Sequence, residues 1–257
     1  MSNMFEAGDR VLLVDRKDRR YLVTLEAGGE FHSHTGVVDH DDLIGSPDGG
    51  RLRSSRGGSF VAFRPTLSDF VLKMPRGAQV IYPKDLGSIL MLADIRPGVR
   101  VLESGVGSGA LSMTLLRAGA QVVGYEIRVD FAERALRNVE AMLGAEELHR
   151  YDVEIRDAYG GIDETDLDRV LLDLPEPWQV VPHAAKALRQ GGIILAYTPS
   201  IVQAASFREA LDEHGFAFSE TLEVTHRSWH IEGAAVRPAH RMVGHTGFLS
   251  HARLLAP

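Results

Sequence analysis

The stretch Val101-Leu102-Glu103-Ser104-Gly105-Val106-Gly107-Ser108-Gly109-Ala110 decides the fold of this chain of 257 residues. An apolar run that ends in closely spaced glycines is typical of a strand that turns sharply into a helix, because glycine permits tight turns and lets a ligand approach the backbone. The glycines at 105, 107 and 109 depart from the G-x-G-x-x-G spacing of a dinucleotide-binding loop. Considered alone, the stretch predicts either a ligand-binding loop or simply a tight turn between two elements.

The rest of the chain falls into two patterns around this loop. From about residue 84 onwards helix-like and strand-like segments alternate, which predicts an α/β fold with a parallel sheet covered by helices on both faces. The last two strands are predicted at Glu220 to Thr225 and at Thr246 to Leu254, with a long loop between them. Residues 1–65 instead show short strand-like runs at close spacing, which predict a small β-rich domain. Residues 66–76 are predicted to form a connecting helix and linker, in which Thr66 and Asp69 resemble a capping box. Residues 77–257 then form the second domain.

Acidic residues end the strands that follow the glycine loop. Glu126 lies 21 residues after Gly105, where a carboxylate can accept both ribose hydroxyls of an adenosine ligand. Asp157 ends the third predicted strand, and Asp173 ends the fourth, ahead of a proline-stiffened loop that carries Trp178. The carboxyl ends of strands in such a sheet line the ligand crevice, so these residues are candidate site residues. The alternatives are that each acid only caps a loop and that Trp178 lies in the core.

Composition excludes several classes of protein. The chain has no cysteine, which excludes disulfides, thiolate zinc sites and a cysteine nucleophile, and we predict no metal. No apolar run approaches the ~20 residues of a membrane span, so we expect no membrane partner. The first six residues lack the order of a basic and then an apolar segment, so a cytoplasmic location is expected.

Charge is distributed unevenly along the chain. The net charge is −7, yet residues 51–84 carry a net charge of +6 and residues 225–257 carry +3, on either side of an acidic middle. Phosphate binding depends on local patches rather than on the total charge. The two basic segments are therefore candidate nucleic-acid contacts, and their alternative interpretation is ordinary surface charge. The candidate substrate-binding residues from these segments are Arg51, Arg53, Arg237 and His240.

Taken together, the motifs resemble a known family of enzymes. The glycine loop with Glu126 and Asp157 resembles an S-adenosylmethionine-dependent methyltransferase domain of Rossmann-like fold. The more specific resemblance is to the bacterial and archaeal tRNA (adenine-58-N1)-methyltransferases, and it extends over nearly the whole chain. Its segments are Gln79-Val80-Ile81-Tyr82-Pro83-Lys84-Asp85, the glycine loop, Asp173 to Trp178, Ala196-Tyr197-Thr198-Pro199, and Arg237 to Leu249 with its His245-Thr246-x-Phe248-Leu249 end.

The resemblance implies S-adenosylmethionine as cofactor, tRNA as partner and a homotetrameric assembly. It assigns catalytic roles to Asp173, Tyr82 and Tyr197, with the two tyrosines shaping the base pocket, and a substrate-binding role to Trp178. The cofactor-binding residues that it implies are Gln79, Glu103, Gly105, Gly107, Ser108, Gly109, Ala110, Leu111, Glu126, Phe131, Asp157 and Asp173. Two alternatives remain: a methyltransferase of this fold that acts on another RNA, a protein or a small molecule, and a non-catalytic tRNA-binding subunit.

A role for Asp173 follows from the chemistry of adenine. The N1 atom carries an in-plane lone pair and no proton, so its attack needs no general base, and the product base is cationic. A carboxylate that accepts from the N6 amino group would stabilise the forming charge. With the reference carboxylate pKa of ~3.9, the single-turnover rate is predicted to be independent of pH from about pH 6 to 9.

Overall fold

The computed structural model describes residues 3–77 and 79–256 of the chain. It divides into two compact units, Met1–Met74 and Pro75–Pro257, and the terminal residues 1, 2 and 257 as well as residue 78 lie outside the described part. Helix α1 (Leu67–Lys73), in the segment predicted as a connection, falls within the first unit. Its Thr66 and Asp69 form the predicted capping box.

The first unit is a small β domain. Four strands form an antiparallel sheet in the order β2-β1-β6-β5, and β3 and β4 form a separate hairpin. Apolar side chains that alternate along β1 and β6 form one core with Phe5, Leu25 and Leu43. The strands of this unit are β1 (Arg10–Asp15), β2 (Arg20–Thr24), β3 (Glu30–Ser33), β4 (Gly36–Asp39), β5 (Arg51–Arg53) and β6 (Ser59–Phe63).

The second unit is an α/β domain, as the alternating pattern predicts. Its helices are α2 (Pro83–Leu92), α3 (Ala110–Arg117), α4 (Val129–Leu143), α5 (Val181–Ala187) and α6 (Ile201–Glu213). Its strands are β7 (Arg100–Ser104), β8 (Gln121–Glu126), β9 (Tyr151–Ile155), β10 (Leu167–Leu172), β11 (Leu188–Thr198), β12 (Phe216–Glu223), β13 (Trp229–Glu232), β14 (Ala235–Pro238) and β15 (Phe248–Leu254).

A seven-stranded sheet in the order β12-β15-β11-β10-β7-β8-β9 organises this unit. The pairs from β11 to β9 are parallel, whereas β15 runs antiparallel to both of its neighbours. The strand order reverses at β7. The next two strands in sequence, β8 and β9, lie on one side of β7, and β10 lies on its other side. Such a reversal opens a crevice at the carboxyl ends of the strands, where ligands bind in open α/β sheets.

One expectation from the sequence was wrong. The segment between the last two strands of the sheet was predicted to be a long loop, but it contains the hairpin of β13 and β14. Gly233, with a φ of +54°, supplies the left-handed residue in the two-residue turn of this hairpin. Apolar residues at alternate positions, such as Trp229 and Ile231, are the period-two signal that the prediction did not use.

No helix in the described ranges is both long and apolar enough to cross a membrane. A search of the same residues finds no group of three or more histidine, cysteine, aspartate and glutamate side chains that could hold a metal ion.

Candidate active site

The glycine loop begins where β7 meets the end of β10. The amide of Asp173 donates to Ser104 O at 2.9 Å, and the amide of Gly105 donates to Tyr125 O at 3.0 Å. A β-carbon on Gly105 would lie 2.2 Å from the carbonyl oxygen of Asp173, and the φ of Gly105 is +89°. Glycine is therefore required at position 105 by the close approach of the chain that carries Asp173.

The other two glycines of the loop have different surroundings. Gly109, with a φ of +80°, is the N-cap of α3, and a β-carbon there would lie 3.2 Å from Ala135 of α4. Gly107 has a φ of +56°, and a β-carbon there would meet nothing closer than Gly105 O at 3.9 Å. Residues 105 and 109 thus serve the packing of the fold, whereas the backbone at Gly107 faces open space into which a ligand could reach.

Glu126 is held against the glycine loop by two backbone amides. Its Oε2 accepts from the amide of Gly107 at 3.0 Å, and its Oε1 accepts from the amide of Arg128 at 3.0 Å. The side chain is buried at the end of β8. A carboxylate has about four acceptor positions, so two remain for the hydroxyls of a ligand. The structure thus positions the Glu126 carboxylate beside the glycine loop.

Asp173 lies half-buried at the end of β10, where Ser104 fixes its backbone. Burial, together with the charge of Glu126, raises the pKa of Asp173 to about 7. The reference carboxylate pKa of ~3.9 therefore does not apply to Asp173 in the free protein. A carboxyl with a pKa near neutrality in a crevice is characteristic of functional sites.

The loop after Asp173 is tethered at two points. The amide of Glu176 donates to Tyr159 Oη at 3.1 Å, and Gln203 Nε2 donates to Pro175 O at 2.8 Å. Trp178 follows in a short 3₁₀ helix (Pro177–Val180) and is half-buried, so it is not a fully buried core residue. The loop is therefore fixed by hydrogen bonds as well as by its prolines.

The two predicted pocket tyrosines lie in the neighbourhood of Asp173. Tyr197 on β11 is buried, and its hydroxyl donates to Thr246 O at 2.5 Å. Burial, with smaller contributions from the charges of Asp85, Asp173 and Tyr82, raises the pKa of Tyr197 to about 12. Tyr82 is half-buried and forms the N-cap of α2. The Tyr197 hydroxyl is thus protonated and already committed to a backbone carbonyl, which leaves its ring as the surface available to a base.

Sequence reasoning did not find the polar network that joins α2 to the chain before β15. Lys84 Nζ donates to Asp85 Oδ1 at 2.8 Å, to Val224 O at 2.6 Å and to Thr246 Oγ1 at 2.5 Å. Thr246 Oγ1 in turn donates to Asp85 Oδ2 at 2.7 Å, and the Asp85 side chain is fully buried. The signal was present, because the Tyr-Pro-Lys-Asp and His-Thr-x-Phe-Leu segments both belong to the family resemblance. Their side chains bind each other.

His245 adds a second clamp beside this network. Its Nδ1 lies 2.6 Å from Glu223 Oε1, and its Nε2 lies 2.9 Å from Pro199 O. Both partners are acceptors, an arrangement that favours an imidazole donating from both ring nitrogens. The hydrogen bond to Glu223 accordingly raises the pKa of His245.

Some of the predicted cofactor-binding residues lie at exposed positions or already have partners within the protein. Asp157 is exposed, and its Oδ1 accepts from the amide of Tyr159 at 2.9 Å, which is the loop-capping alternative. Its second oxygen is not used in that bond. Gln79 is exposed, and Phe131 in the first turn of α4 has the Arg128 guanidinium 3.8 Å from its ring centroid. Of the predicted cofactor residues in and after the loop, Ser108, Gly109, Ala110 and Leu111 are buried.

The predicted substrate contacts are divided between the two units. Arg51 and Arg53 are exposed on β5 of the first unit, and β-strand alternation places them on the same face. In the described ranges neither of these arginines forms an ion pair. In the second unit Arg237 is exposed on β14, and His240 is exposed shortly after it.

Two family models and several known proteins match this chain. The family model described as "tRNA methyltransferase complex GCD14 subunit" matches residues 60–235, and the model described as "TrmI-like N-terminal" matches residues 4–50. The tRNA (adenine(58)-N(1))-methyltransferase TrmI of Thermus thermophilus is 39% identical over 242 residues, which cover 93% of this chain and 94% of the relative.

Solved structures of methyltransferases also match this chain over nearly its whole length. An S-adenosylmethionine-dependent O-methyltransferase from Thermotoga maritima matches with a TM-score of 0.94 and 32% identity, over 99% of this chain and 96% of that one. The tRNA (m1A58) methyltransferase TrmI from Aquifex aeolicus matches with a TM-score of 0.86 and 26% identity, over 99% and 100% of the two chains. The chain therefore belongs to the TrmI and GCD14 family of tRNA methyltransferases, with its Rossmann-like methyltransferase fold and its small N-terminal β domain.

Proposed function

We propose that this chain transfers the methyl group of S-adenosylmethionine to N1 of adenine 58 in the T-loop of tRNA. The observation that carries the proposal is the position of Asp173, whose backbone is bonded to the start of the glycine loop and whose carboxyl is close to Tyr197. This arrangement supports a site in which a base meets a carboxylate beside the cofactor loop. It fits an enzyme acting where tRNA is present, which we expect to be the cytoplasm.

The residues around the loop fit S-adenosylmethionine, which supplies an electrophilic methyl group on a sulfonium cation. Gly107 leaves open space beside its backbone, and Glu126 retains acceptor positions for ribose hydroxyls. The Ser108 hydroxyl is buried without a hydrogen-bond partner among the described residues, so it is free to bind a ligand. The other residues that we propose to hold the cofactor are Gln79, Glu103, Gly105, Gly109, Ala110, Leu111, Phe131 and Asp157.

Asp173 would stabilise the positive charge that develops on the adenine ring. Its ionised carboxylate accepts a hydrogen bond from the N6 amino group, and the negative charge acts on the ring as N1 forms its new bond. Tyr82 and Tyr197 would hold the base plane, and Trp178 on its tethered loop would bound the pocket. Because N1 lies on the Watson–Crick edge, the base must first leave its stack, which costs a few kcal/mol.

The direct test is methylation of an unmodified tRNA transcript with methyl-labelled S-adenosylmethionine. We expect label in the transcript, and none in a matched transcript that carries guanine at position 58. Equal incorporation into both transcripts would contradict the assignment of the target base.

The glycine loop offers a matched pair of substitutions. Gly105→Ala should lower the free energy of unfolding by about 2 kcal/mol or more, because its β-carbon meets the Asp173 carbonyl at a left-handed φ. Gly107→Ala should lower the free energy of unfolding less, because its β-carbon enters open space. Because that β-carbon occupies the space beside the loop, the substitution should weaken cofactor binding more than tenfold. Thermal unfolding and calorimetric titration measure the two effects. Gly107→Ala with unchanged cofactor affinity would show that no ligand approaches the loop there.

The pH dependence of the reaction should report the raised pKa of Asp173. The active form is the ionised carboxylate, so kcat/KM should rise with pH up to about 7 and level off above it. Below pH of about 7, kcat/KM should fall about tenfold for each unit by which the pH decreases. The single-turnover rate at saturating cofactor should titrate at lower pH, because a bound cation favours the carboxylate. A kcat/KM profile without a step between pH 6 and 8 would contradict this account.

The exposed arginines should contribute to tRNA binding through phosphate contacts. Arg51→Glu, Arg53→Glu and Arg237→Glu should each weaken tRNA binding and reduce its salt dependence, without changing the affinity for S-adenosylmethionine. Filter binding across a series of salt concentrations measures both effects. Glu26, an exposed carboxyl in the first unit, provides the control substitution Glu26→Gln, which should not weaken binding. If no arginine variant alters the salt dependence, these side chains are ordinary surface charge.

We also propose that the chain assembles as a homotetramer. The hairpin of β13 and β14 supports self-association, because its exposed apolar side chains include Trp229, Ile231 and Val236. Native mass spectrometry tests this, and a monomer at micromolar concentration would contradict it.

A further inference from the structure

Residues 245–247 lead into β15 beside the end of β11, the strand that carries Tyr197. The two strands run antiparallel, and their pairing begins where Phe248 of β15 lies opposite Thr198 of β11. Residues 245–247 lie immediately before this pair, next to the end of β11 and the chain that follows it. We call residues 245–247 the cradle segment.

Hydrogen bonds tie the cradle segment to both neighbouring strands. His245 Nε2 lies 2.9 Å from the carbonyl oxygen of Pro199, directly after β11. His245 Nδ1 lies 2.6 Å from Glu223 Oε1, at the end of β12. The hydroxyl of Tyr197 in turn donates to Thr246 O at 2.5 Å. The cradle segment is therefore fixed to the sheet, and the Tyr197 hydroxyl is fixed to the cradle segment.

Gly247 lies so close to the Tyr197 ring that no side chain fits between them. A β-carbon at position 247 would lie 2.5 Å from Tyr197 Cζ, 2.6 Å from its Cε2 and 2.8 Å from its Oη. Carbon atoms in ordinary contact are about 3.5–4.0 Å apart, so the ring would have to move by roughly 1 Å. The φ of Gly247 lies outside the left-handed region, so the ring, and not the backbone conformation, requires glycine at this position.

These contacts fix the surface that Tyr197 offers to a base. Thr246 holds the ring at its hydroxyl end, Gly247 borders one edge, and the tyrosine is only 7% exposed. The ring is therefore in place before a base arrives. Such preorganisation matters for the rate, because a misplacement of about 1 Å near the reacting atoms can cost about 10²-fold.

We propose that His245 and Gly247 are positioning residues for methyl transfer. Gly247 sets the position of the Tyr197 ring by keeping its edge free of side-chain atoms, and His245 holds the cradle segment against the ends of β11 and β12. Both residues act through Tyr197 and not by contact with the base. The proposal rests on the proposed function, since it takes the Tyr197 ring as a surface that holds the target base.

A double-mutant cycle between positions 247 and 197 tests whether Gly247 acts through the tyrosine ring. Gly247→Ala should slow single-turnover methylation of a tRNA transcript about 10–100-fold at saturating tRNA and S-adenosylmethionine. In a Tyr197→Ala background the ring is absent, so the same substitution should change the rate by less than about twofold. Gly244→Ala is the matched control, because its β-carbon would meet nothing closer than Met242 Cε at 3.8 Å. It should leave the rate unchanged.

Fluorine NMR reports the surroundings of the ring without turnover. Protein labelled with 3-fluorotyrosine carries six fluorinated rings, and Tyr197→Phe identifies the resonance from position 197. Gly247→Ala should shift this resonance, and Gly244→Ala should not. His245→Ala should also shift it and should slow methylation less than Gly247→Ala. Because the His245 side chain is 49% exposed, this second variant keeps the test available if Gly247→Ala folds poorly.

The outcomes that overturn the proposal are distinguishable from failure of the proposed function. If Gly247→Ala slows methylation equally with and without the Tyr197 ring, or if neither Gly247→Ala nor His245→Ala shifts the Tyr197 resonance, the positioning role is wrong and the proposed function stands. A rate for Gly247→Ala within about twofold of wild type has the same meaning. If the wild-type protein methylates no tRNA transcript, the proposed function fails and the role in methyl transfer fails with it.

Discussion

Asp173→Asn is expected to slow methyl transfer by about 10²–10³, the range seen when one electrostatic contact to a transition state is removed. The substitution keeps the side-chain shape and the backbone bond from residue 173 to Ser104 O, but it removes the negative charge that would stabilise the methylated ring. The measurement is single-turnover methylation of tRNA at saturating cofactor. Cofactor affinity should fall less than the rate, because the lost interaction forms mainly in the transition state.

Two controls separate this effect from unfolding and from cofactor binding. The raised pKa of Asp173 means that its ionisation opposes folding, so stability falls as pH rises towards about 7. Asp173→Asn should therefore raise the midpoint of thermal unfolding at pH 8. Asp157→Asn, two residues after β9, should weaken cofactor binding but leave the saturated rate nearly unchanged. A near-wild-type rate for Asp173→Asn would remove Asp173 from the mechanism.

Asp85→Ala is expected to lower the free energy of unfolding of the second unit by about 3–5 kcal/mol, the loss typical when one partner of a buried ion pair is removed. The Lys84 ammonium would remain, with only 6% of its side chain exposed, bound to Val224 O and Thr246 Oγ1. Chemical denaturation measures the change. The same variant should slow methylation, because Thr246 also supplies the carbonyl that receives the Tyr197 hydroxyl.

A compensated variant tests whether the charge pair itself is needed. Lys84→Met, Asp85→Leu and Thr246→Val together remove every polar side chain of the network, and apolar replacement of a buried pair is often neutral. We expect this triple variant to recover most of the stability lost in Asp85→Ala. A loss below about 0.5 kcal/mol for Asp85→Ala alone would show that the network is not a buried ion pair in solution.

The parts of the fold that could be predicted are those that local sequence determines. The glycine loop and the strand-end acids Glu126 and Asp173 have neighbours fixed by the strand-to-helix alternation, so the position of the crevice followed from the order of elements. The hairpin of β13 and β14 was missed because its alternation is short and lies in a segment without helix or sheet context.

The parts that could not be predicted depend on contacts between distant residues. The bond between Thr246 and Asp85 joins positions 161 residues apart, and no local pattern gives that pairing. The pKa of Asp173 depends on burial and on Glu126, neither of which the sequence quantifies, so the pH dependence expected of kcat/KM could not be predicted from the reference pKa. Gly105 was interpreted as a possible ligand contact, whereas its immediate requirement is the carbonyl of Asp173.

Identification of the methylated nucleoside tests the central claim most directly. An unmodified tRNA transcript is incubated with the protein and labelled S-adenosylmethionine, digested, and analysed by mass spectrometry for the modified base and its position. We predict 1-methyladenine at position 58 as the labelled product, and its loss with Asp173→Asn. Labelled methyl on an oxygen, on another base, or on protein while the transcript stays unlabelled would contradict the account.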